Sequence, residues 1–388
     1  MSLFSHAGKS QKNLLIHIGS GSVSGAIVTR RQKEKREHED TVIARAGASV
    51  KQTDKEEFKR YFLSMVKALN DVMEEMSEKN EGAIDRILVT INAPWFVADT
   101  RTISKKEDAE FVVTEKLVRE LIQKEIAVFS KEALTHFKQK QKGDDTKYQV
   151  LDNAITGIKL NGYTITSPYG KEVHTMEIYA FTTLMPQSVG DAIKDTIMRF
   201  FGPAPTEMYS CISIFLAGMK KIKPEEKDFV IADIGEEVTD ITIIRDAALR
   251  EHHYFSIGTN LFISSLMKKS GHEKEQASSL LSLGIQKNAN SKTEAQIADA
   301  IADARGAWTK EYTNTLALFS NEIAIPSSIF LFANDVHERT FKEALESEEF
   351  TQYLLTDRKF NVILGSQWRN TALDIDRYLS MLLFVHVK

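Results

Sequence analysis

Residues 228–258 read DFVIADIGEEVTDITIIRDAALREHHYFSIG, and this stretch decides the fold. Phe229, Val230, Ile231 and Ala232 run apolar into a turn on Asp233, Ile234 and Gly235, the pattern of a strand buried on both faces. Over 239–244 a hydroxyl or an acid alternates with isoleucine, the period of a half-buried strand, and a third strand follows before Gly258. A glycine turn between two such strands aims backbone N–H groups at an anion, and Asp233 and Asp240 are placed to hold the cation that travels with it. One glycine-tipped hairpin is weak evidence by itself, because the commonest role of such a turn is only to reverse the chain.

A second stretch repeats the grammar. Residues 13–28 read NLLIHIGSGSVSGAIV: an apolar strand, a small-residue turn on Gly19, Ser20, Gly21 and Ser22, and a strand leaving it. Small residues let a backbone approach a phosphate closely, and serine hydroxyls donate to its oxygens. Two such hairpins, each opening one half of the chain, predict a duplicated α/β domain with a nucleotide clamped between the halves.

Outward from the hairpins, residues 55–78 predict a helix with Phe58, Phe62, Met65, Val66, Leu69, Val72 and Met73 on one face, followed by a strand at 86–91. Residues 114–140 read as a helix, and 148–186 as short strands with turns at Asn161-Gly162 and Pro168-Tyr169-Gly170. A helix and a small antiparallel sheet between two α/β portions amount to an inserted α+β subdomain. Helices follow at 187–201, 210–221 and 258–270, then a polar helical region at 272–315. The last portion is a strand at 328–332, a turn on Ala333, Asn334 and Asp335, and a helix at 336–347. The domain map is therefore 1–84 for the first part of the first half, 85–186 for the insert, 187–226 for a return, 227–350 for the second half, and 351–388 for a final return to the first.

The composition narrows the class. A chain of 388 residues holds more than one domain, and its net charge of −4 gives no general attraction to nucleic acid or anionic lipid. The charged run over 30–40 alternates in sign and reads as a solvated hairpin loop. A single cysteine, Cys211, excludes an internal disulfide framework, fits a reducing cytoplasm, and reads as a small core residue. Residues 1–12 lack the apolar core of a leader, no run is long enough to span a bilayer, and the apolar stretch 378–387 reads as a terminal core helix or strand. No HExxH, CxxC, P-loop or Gly-x-Ser-x-Gly motif occurs. His252 and His253 are adjacent on a strand, so they point to opposite faces and cannot share a metal.

The order hairpin, insert, second hairpin, helical region, strand–turn–helix resembles the actin-like ATPases, whose fold is a duplicated RNase H-like pair of domains. It is similar in particular to the branch that holds the bacterial cell-division protein FtsA and the type IV pilus protein PilM. The first phosphate motif of that family corresponds here to His17-Ile18-Gly19-Ser20-Gly21-Ser22, and the second to Asp233-Ile234-Gly235-Glu236-Glu237-Val238-Thr239-Asp240. The adenosine motif falls on residues 329–335. Leu160-Asn161-Gly162-Tyr163 and Ser167-Pro168-Tyr169-Gly170 resemble the strand pair and turn of the SHS2-type subdomain of FtsA.

The resemblance implies that ATP, if bound, is held by Gly19, Ser20, Gly21, Ser22, Gly235 and Thr239 at its phosphates and by Ala333 and Asn334 near its adenosine, with Mg²⁺ beside Asp233 and Asp240. It also implies a cytoplasmic scaffold linking proteins of a division ring in the manner of FtsA. Self-assembly into filaments is one expected mode, and membrane attachment is expected to need a partner. The alternatives are a PilM-like scaffold of a pilus or secretion machine, which binds a short tail of a membrane partner, and a small-molecule kinase of the same fold. Three departures from the family's pattern fall on the nucleotide. His17 replaces an aspartate, Glu236 and Glu237 replace glycines, and residues 332–335 replace a two-glycine turn. An imidazole is a poor substitute for an oxygen ligand of Mg²⁺, and carboxylates facing a polyphosphate repel it. Glu236 and Glu237 either face the phosphates or swing into solvent, and the sequence permits both. The expected activity is at most that of a weak ATPase.

Overall fold

The structure is a computed structural model, and it describes residues 10–32, 38–51, 58–141, 147–285, 291–320, 323–354, 359–368, 373 and 375–387. The predicted helix start at 55–57 and part of the charged loop, 33–37, lie outside the described residues.

The chain begins with β1 (Ser10–Ile18), β2 (Ser22–Gln32), β3 (His38–Ser49), α1 (Phe58–Glu78) and β4 (Arg86–Ile91). Next come β5 (Val97–Val112), α2 (Glu115–Gln141), β6 (Tyr148–Leu160), β7 (Tyr163–Thr164) and β8 (Glu172–Pro186), then α3 (Gln187–Phe201), β9 (Thr206–Ser210) and α4 (Cys211–Ile222). The remainder is β10 (Phe229–Ile234), β11 (Thr239–Arg245), β12 (Ala248–Phe255), α5 (Asn260–Ser270), α6 (Lys274–Ile285), α7 (Ser291–Ser320), β13 (Ser328–Phe332), α8 (Asp335–Leu345), β14 (Asn361–Leu364) and α9 (Arg377–His386).

Two sheets share one topology. The first runs β3-β2-β1-β4-β9 and the second β12-β11-β10-β13-β14. In each, an antiparallel three-strand meander is extended by two parallel strands. The duplication expected from the two hairpins is thus present. A third sheet, β5-β8-β6-β7, is antiparallel and carries α2 on one face through Val118 and Ile122 packed with Ile103, Ile158, Met176 and Ile178.

Alternation along β10 explains its apolar run. Val230, Ala232 and Ile234 face a core with α5, α7 and α8, whereas Phe229 and Ile231 face the core of the first half together with α4 and α9. One face of the second sheet is therefore built into the first half's core, and the two halves meet across packed apolar side chains as well as across a cleft.

Three strands escaped the sequence reading. β5 buries only Ile103 outright, so its charged residues mask the period of two. β9 and β14 are five and four residues long. β4 pairs with β1 and β9, and the third sheet starts at β5. At the other end, β14 pairs with β13 before the chain crosses to α9, which packs on α4, β1 and β4. Among the described residues no helix is long and apolar enough to cross a membrane.

His337 gives the second half a pH response. Its ring stacks on Phe262 with centroids 5.1 Å apart, its Nδ1 has no partner among the described residues, and burial pushes its pKa down to about 4 from 6.5. A base with a depressed folded pKa binds fewer protons folded than unfolded, so its share of the stability is lost as pH falls from about 6.5 toward about 4. The unfolding free energy from urea titrations over that window is expected to drop with a slope of up to about 1.4 kcal/mol per pH unit, and His337→Phe is expected to flatten the curve. Parallel curves for the two proteins would remove His337 as the cause.

Candidate functional site

The two hairpin turns meet. Ser22 Oγ donates to Glu236 Oε1 at 2.7 Å, and the Glu237 N–H donates to Ser20 Oγ at 3.0 Å. The backbones approach so closely that a Cβ on Gly21 would lie 2.4 Å from Glu236 Cβ. Neither carboxylate of the Glu236-Glu237 pair swings into solvent. Glu236 reaches across to the first turn, and Glu237 Oε1 accepts from Asn260 Nδ2 at 2.6 Å.

Several amides at the two turns are engaged within the chain. Gly19 N–H donates to Ser22 O and Gly235 N–H to Val238 O, so each closes its own turn. At the start of α5 the amides of Thr259 and Asn260 donate to the carbonyls of Gly235 and Glu236 at 2.9 and 2.8 Å. Thr239 Oγ1 donates to Ile257 O and accepts from Trp308 Nε1 at 3.0 Å.

Asp233, at the end of β10, is the centre of a buried network. Its carboxylate accepts from Asn92 Nδ2 at 3.0 Å, from Tyr378 Oη at 3.0 Å and from Arg377 Nη2 at 3.3 Å. Arg377 Nη2 also donates to Ile234 O and Tyr378 Oη, both at 2.8 Å. Burial pushes the Asp233 carboxyl up to about 7; Arg377 and Tyr378 pull the other way, and Asp240 pushes with burial.

His17 lies on the far side of this network. Its ring stacks on Tyr378 at 3.8 Å, and burial holds its pKa below the usual value. Because Asn92 Nδ2 donates to Asp233, Asn92 Oδ1 is left as the acceptor for His17 Nε2–H at 3.1 Å. Asp376 accepts from Ser24 Oγ and caps α9 by accepting from Leu379 N–H. Asp240 pairs with Asp233 across the β10–β11 ladder and meets His252 Nε2 at 3.0 Å, while exposed His253 points to the opposite side.

The predicted adenosine residues follow Phe332, which pairs with Asp233 across β10 and β13. Ala333 is buried in the second core, and the Asn334 carbonyl accepts from the amides of His337 and Glu338 at the start of α8. Phe332 stacks on Phe215 at 4.2 Å and presses on Gly365, where a Cβ would lie 2.3 Å from its ring.

The structure thus brings Gly19, Ser20, Gly21, Ser22, Asp233, Gly235, Thr239 and Asp240 to one place. As arranged, these groups do not fit a magnesium nucleotide. The glycine turn is filled by Glu236, the Ser20 and Ser22 hydroxyls are bonded to the second turn, and both Asp233 oxygens are taken by protein donors.

No protein-family model matches the chain, and no curated protein matches it in sequence. A solved PilM-PilN type IV pilus biogenesis complex superposes with a TM-score of 0.58 at 11% identity, covering 96% of this chain and 97% of that one. The fold is actin-like. Weaker superpositions, each with a TM-score of 0.44, join the chain to the ethanolamine utilization protein EutJ from Carboxydothermus hydrogenoformans and to a Bacteroides thetaiotaomicron protein of actin-like ATPase fold. The first is 10% identical and covers 96% of this chain and 89% of that one. The second is 11% identical and covers 98% of each.

Within this actin-like frame, sequence reasoning missed Asn92, Asp376, Arg377 and Tyr378. Asn92 lies just past the predicted strand 86–91, and Arg377 just before the apolar stretch 378–387. The one available signal was a buried-strand aspartate in need of a countercharge. Its partner lies 144 residues away, beyond any local pattern.

Proposed function

We propose that this chain is a nucleotide-independent assembly scaffold of actin-like fold, acting through a partner protein of a pilus-type machine at the cytoplasmic side of a membrane. The observation that carries the reading is the direct contact of the two phosphate turns, Ser22 to Glu236 and Ser20 to Glu237, where a nucleotide would otherwise separate them. The whole-chain superposition on a PilM-PilN complex supports a role in binding a partner of that kind ahead of the FtsA-like division role.

Titration calorimetry with Mg·ATP and Mg·ADP is the test. The native protein is expected to give no saturable heat at millimolar nucleotide. Glu236→Gly/Glu237→Gly is expected to stay silent too, because Asp233 remains occupied by Arg377 and Tyr378. Micromolar binding by the native protein overturns the reading. Binding of a tubulin-like division protein in place of a pilus partner would restore the FtsA-like role.

A further inference from the structure

Asp233 and Asp240 face each other across β10 and β11 with 2% and 4% of their surface exposed, and the Cys211 thiol lies in the same cluster. Two carboxylates buried side by side need compensation by cations, protons or hydrogen-bond donors. His252 faces Asp240, and the guanidinium of Arg377 faces Asp233.

The placement of Arg377 cannot be explained by its own helix. It occupies the first position of α9, next to the N-cap Asp376, at the positive end of the helix dipole, where a cation is unfavourable. Its side chain is 17% exposed, and Nε has no partner among the described residues. What the side chain gains is across the cleft: the Asp233 carboxylate and the Ile234 carbonyl, both on β10, while α9 itself packs on α4, β1 and β4. A local rule broken at one residue and compensated by a distant contact marks a position kept for the long-range interaction.

We propose that Arg377 is the resident cation of this cleft: carried in on α9, it compensates Asp233 from within the chain and holds the two phosphate turns shut, in place of a charge delivered by a ligand. The proposal rests on the nucleotide-independent reading above. It makes the shut arrangement a permanent property of the sequence.

The test is amide hydrogen exchange at the Gly19–Ser22 and Gly235–Val238 turns, together with urea midpoints, in the native protein, Arg377→Met, and Arg377→Met/Asp233→Asn. The native turns are expected to be protected equally with and without Mg·ATP. In Arg377→Met both turns are expected to exchange about tenfold faster or more, while the third sheet is unchanged. Removing Arg377 leaves Asp233 either as an uncompensated buried charge or forced to take up a proton, whereas removing both partners avoids that cost, so the double variant is expected to regain most of the lost midpoint with its turns still open.

Native-like protection in Arg377→Met, or a double variant no more stable than the single one, overturns the proposal. If Arg377→Met fails to fold and the double variant folds, the stranded charge is demonstrated; if neither folds, the proposal is wrong. Protection of the native turns by Mg·ATP would sink the nucleotide-independent reading and leave the Arg377 comparison to stand or fall separately.

Discussion

Trp308→Ala is expected to lower stability by about 3–5 kcal/mol, measured by urea denaturation followed by circular dichroism. Trp308 is fully buried on α7, stacked on Tyr312 with centroids 4.9 Å apart, edge-on to Phe341 at 4.9 Å, and tilted against Phe255 at 6.3 Å. Rings from α7, α8 and β12 enclose it, so truncation leaves a cavity that rigid neighbours cannot collapse. The indole N–H also anchors Thr239 Oγ1, one residue from Asp240. Trp308→Phe separates the two contributions, since it keeps an aromatic ring and loses the hydrogen bond, with about 1 kcal/mol expected for the bond. A loss below about 1 kcal/mol for the alanine variant would mean that the second core is more plastic than its packing implies.

Gly258→Ala comes next in size. A Cβ there would sit 2.4 Å from the Gly235 carbonyl oxygen and 2.5 Å from Glu236 backbone atoms. Relief cannot come from a side chain swinging away, because the obstruction is the backbone of the β10–β11 turn, itself held by Ser20 and Ser22. The turn must shift, and the expected loss is roughly 3 kcal/mol, at the upper end for an overpacked site. Gly306 on α7 has nothing within 4 Å of a Cβ, and alanine there is expected to stabilise by about 0.5–1 kcal/mol. Equal denaturation midpoints for the two variants would show that the close approach at Gly258 is tolerated.

The hairpins, the duplication and most helices were legible in the sequence because each has a local signal: an apolar run into a glycine turn along β10, alternation along β11, and a period of 3.6 along α1. The strand β5 was not, since its charged residues obscure alternation over a sheet face that is mostly wet. The positions of Glu236 and Glu237 were left open between cleft and solvent. In the structure the Glu236 carboxylate meets the opposite turn at Ser22 and the Glu237 carboxylate meets Asn260 of α5, contacts that no local pattern encodes. The same holds for Arg377 and Tyr378, which reach Asp233 from the far end of the chain order. Sequence periodicity reports which face of an element is buried, but not which distant element covers it.

The place of α9 also bears on the order of events during synthesis. The core around β1, α1 and α4 is completed by Tyr378, Leu379, Leu382 and Leu383, and these residues follow β14 in the chain. As the polypeptide leaves the ribosome, the first sheet therefore waits, with one apolar face uncovered, until every strand of the second sheet has emerged. Domains made in sequence usually fold in sequence. Here the earlier half is finished last, and contacts such as Ser24 with Asp376, 352 residues apart, raise the mean sequence separation of its contacts, the quantity that slows folding.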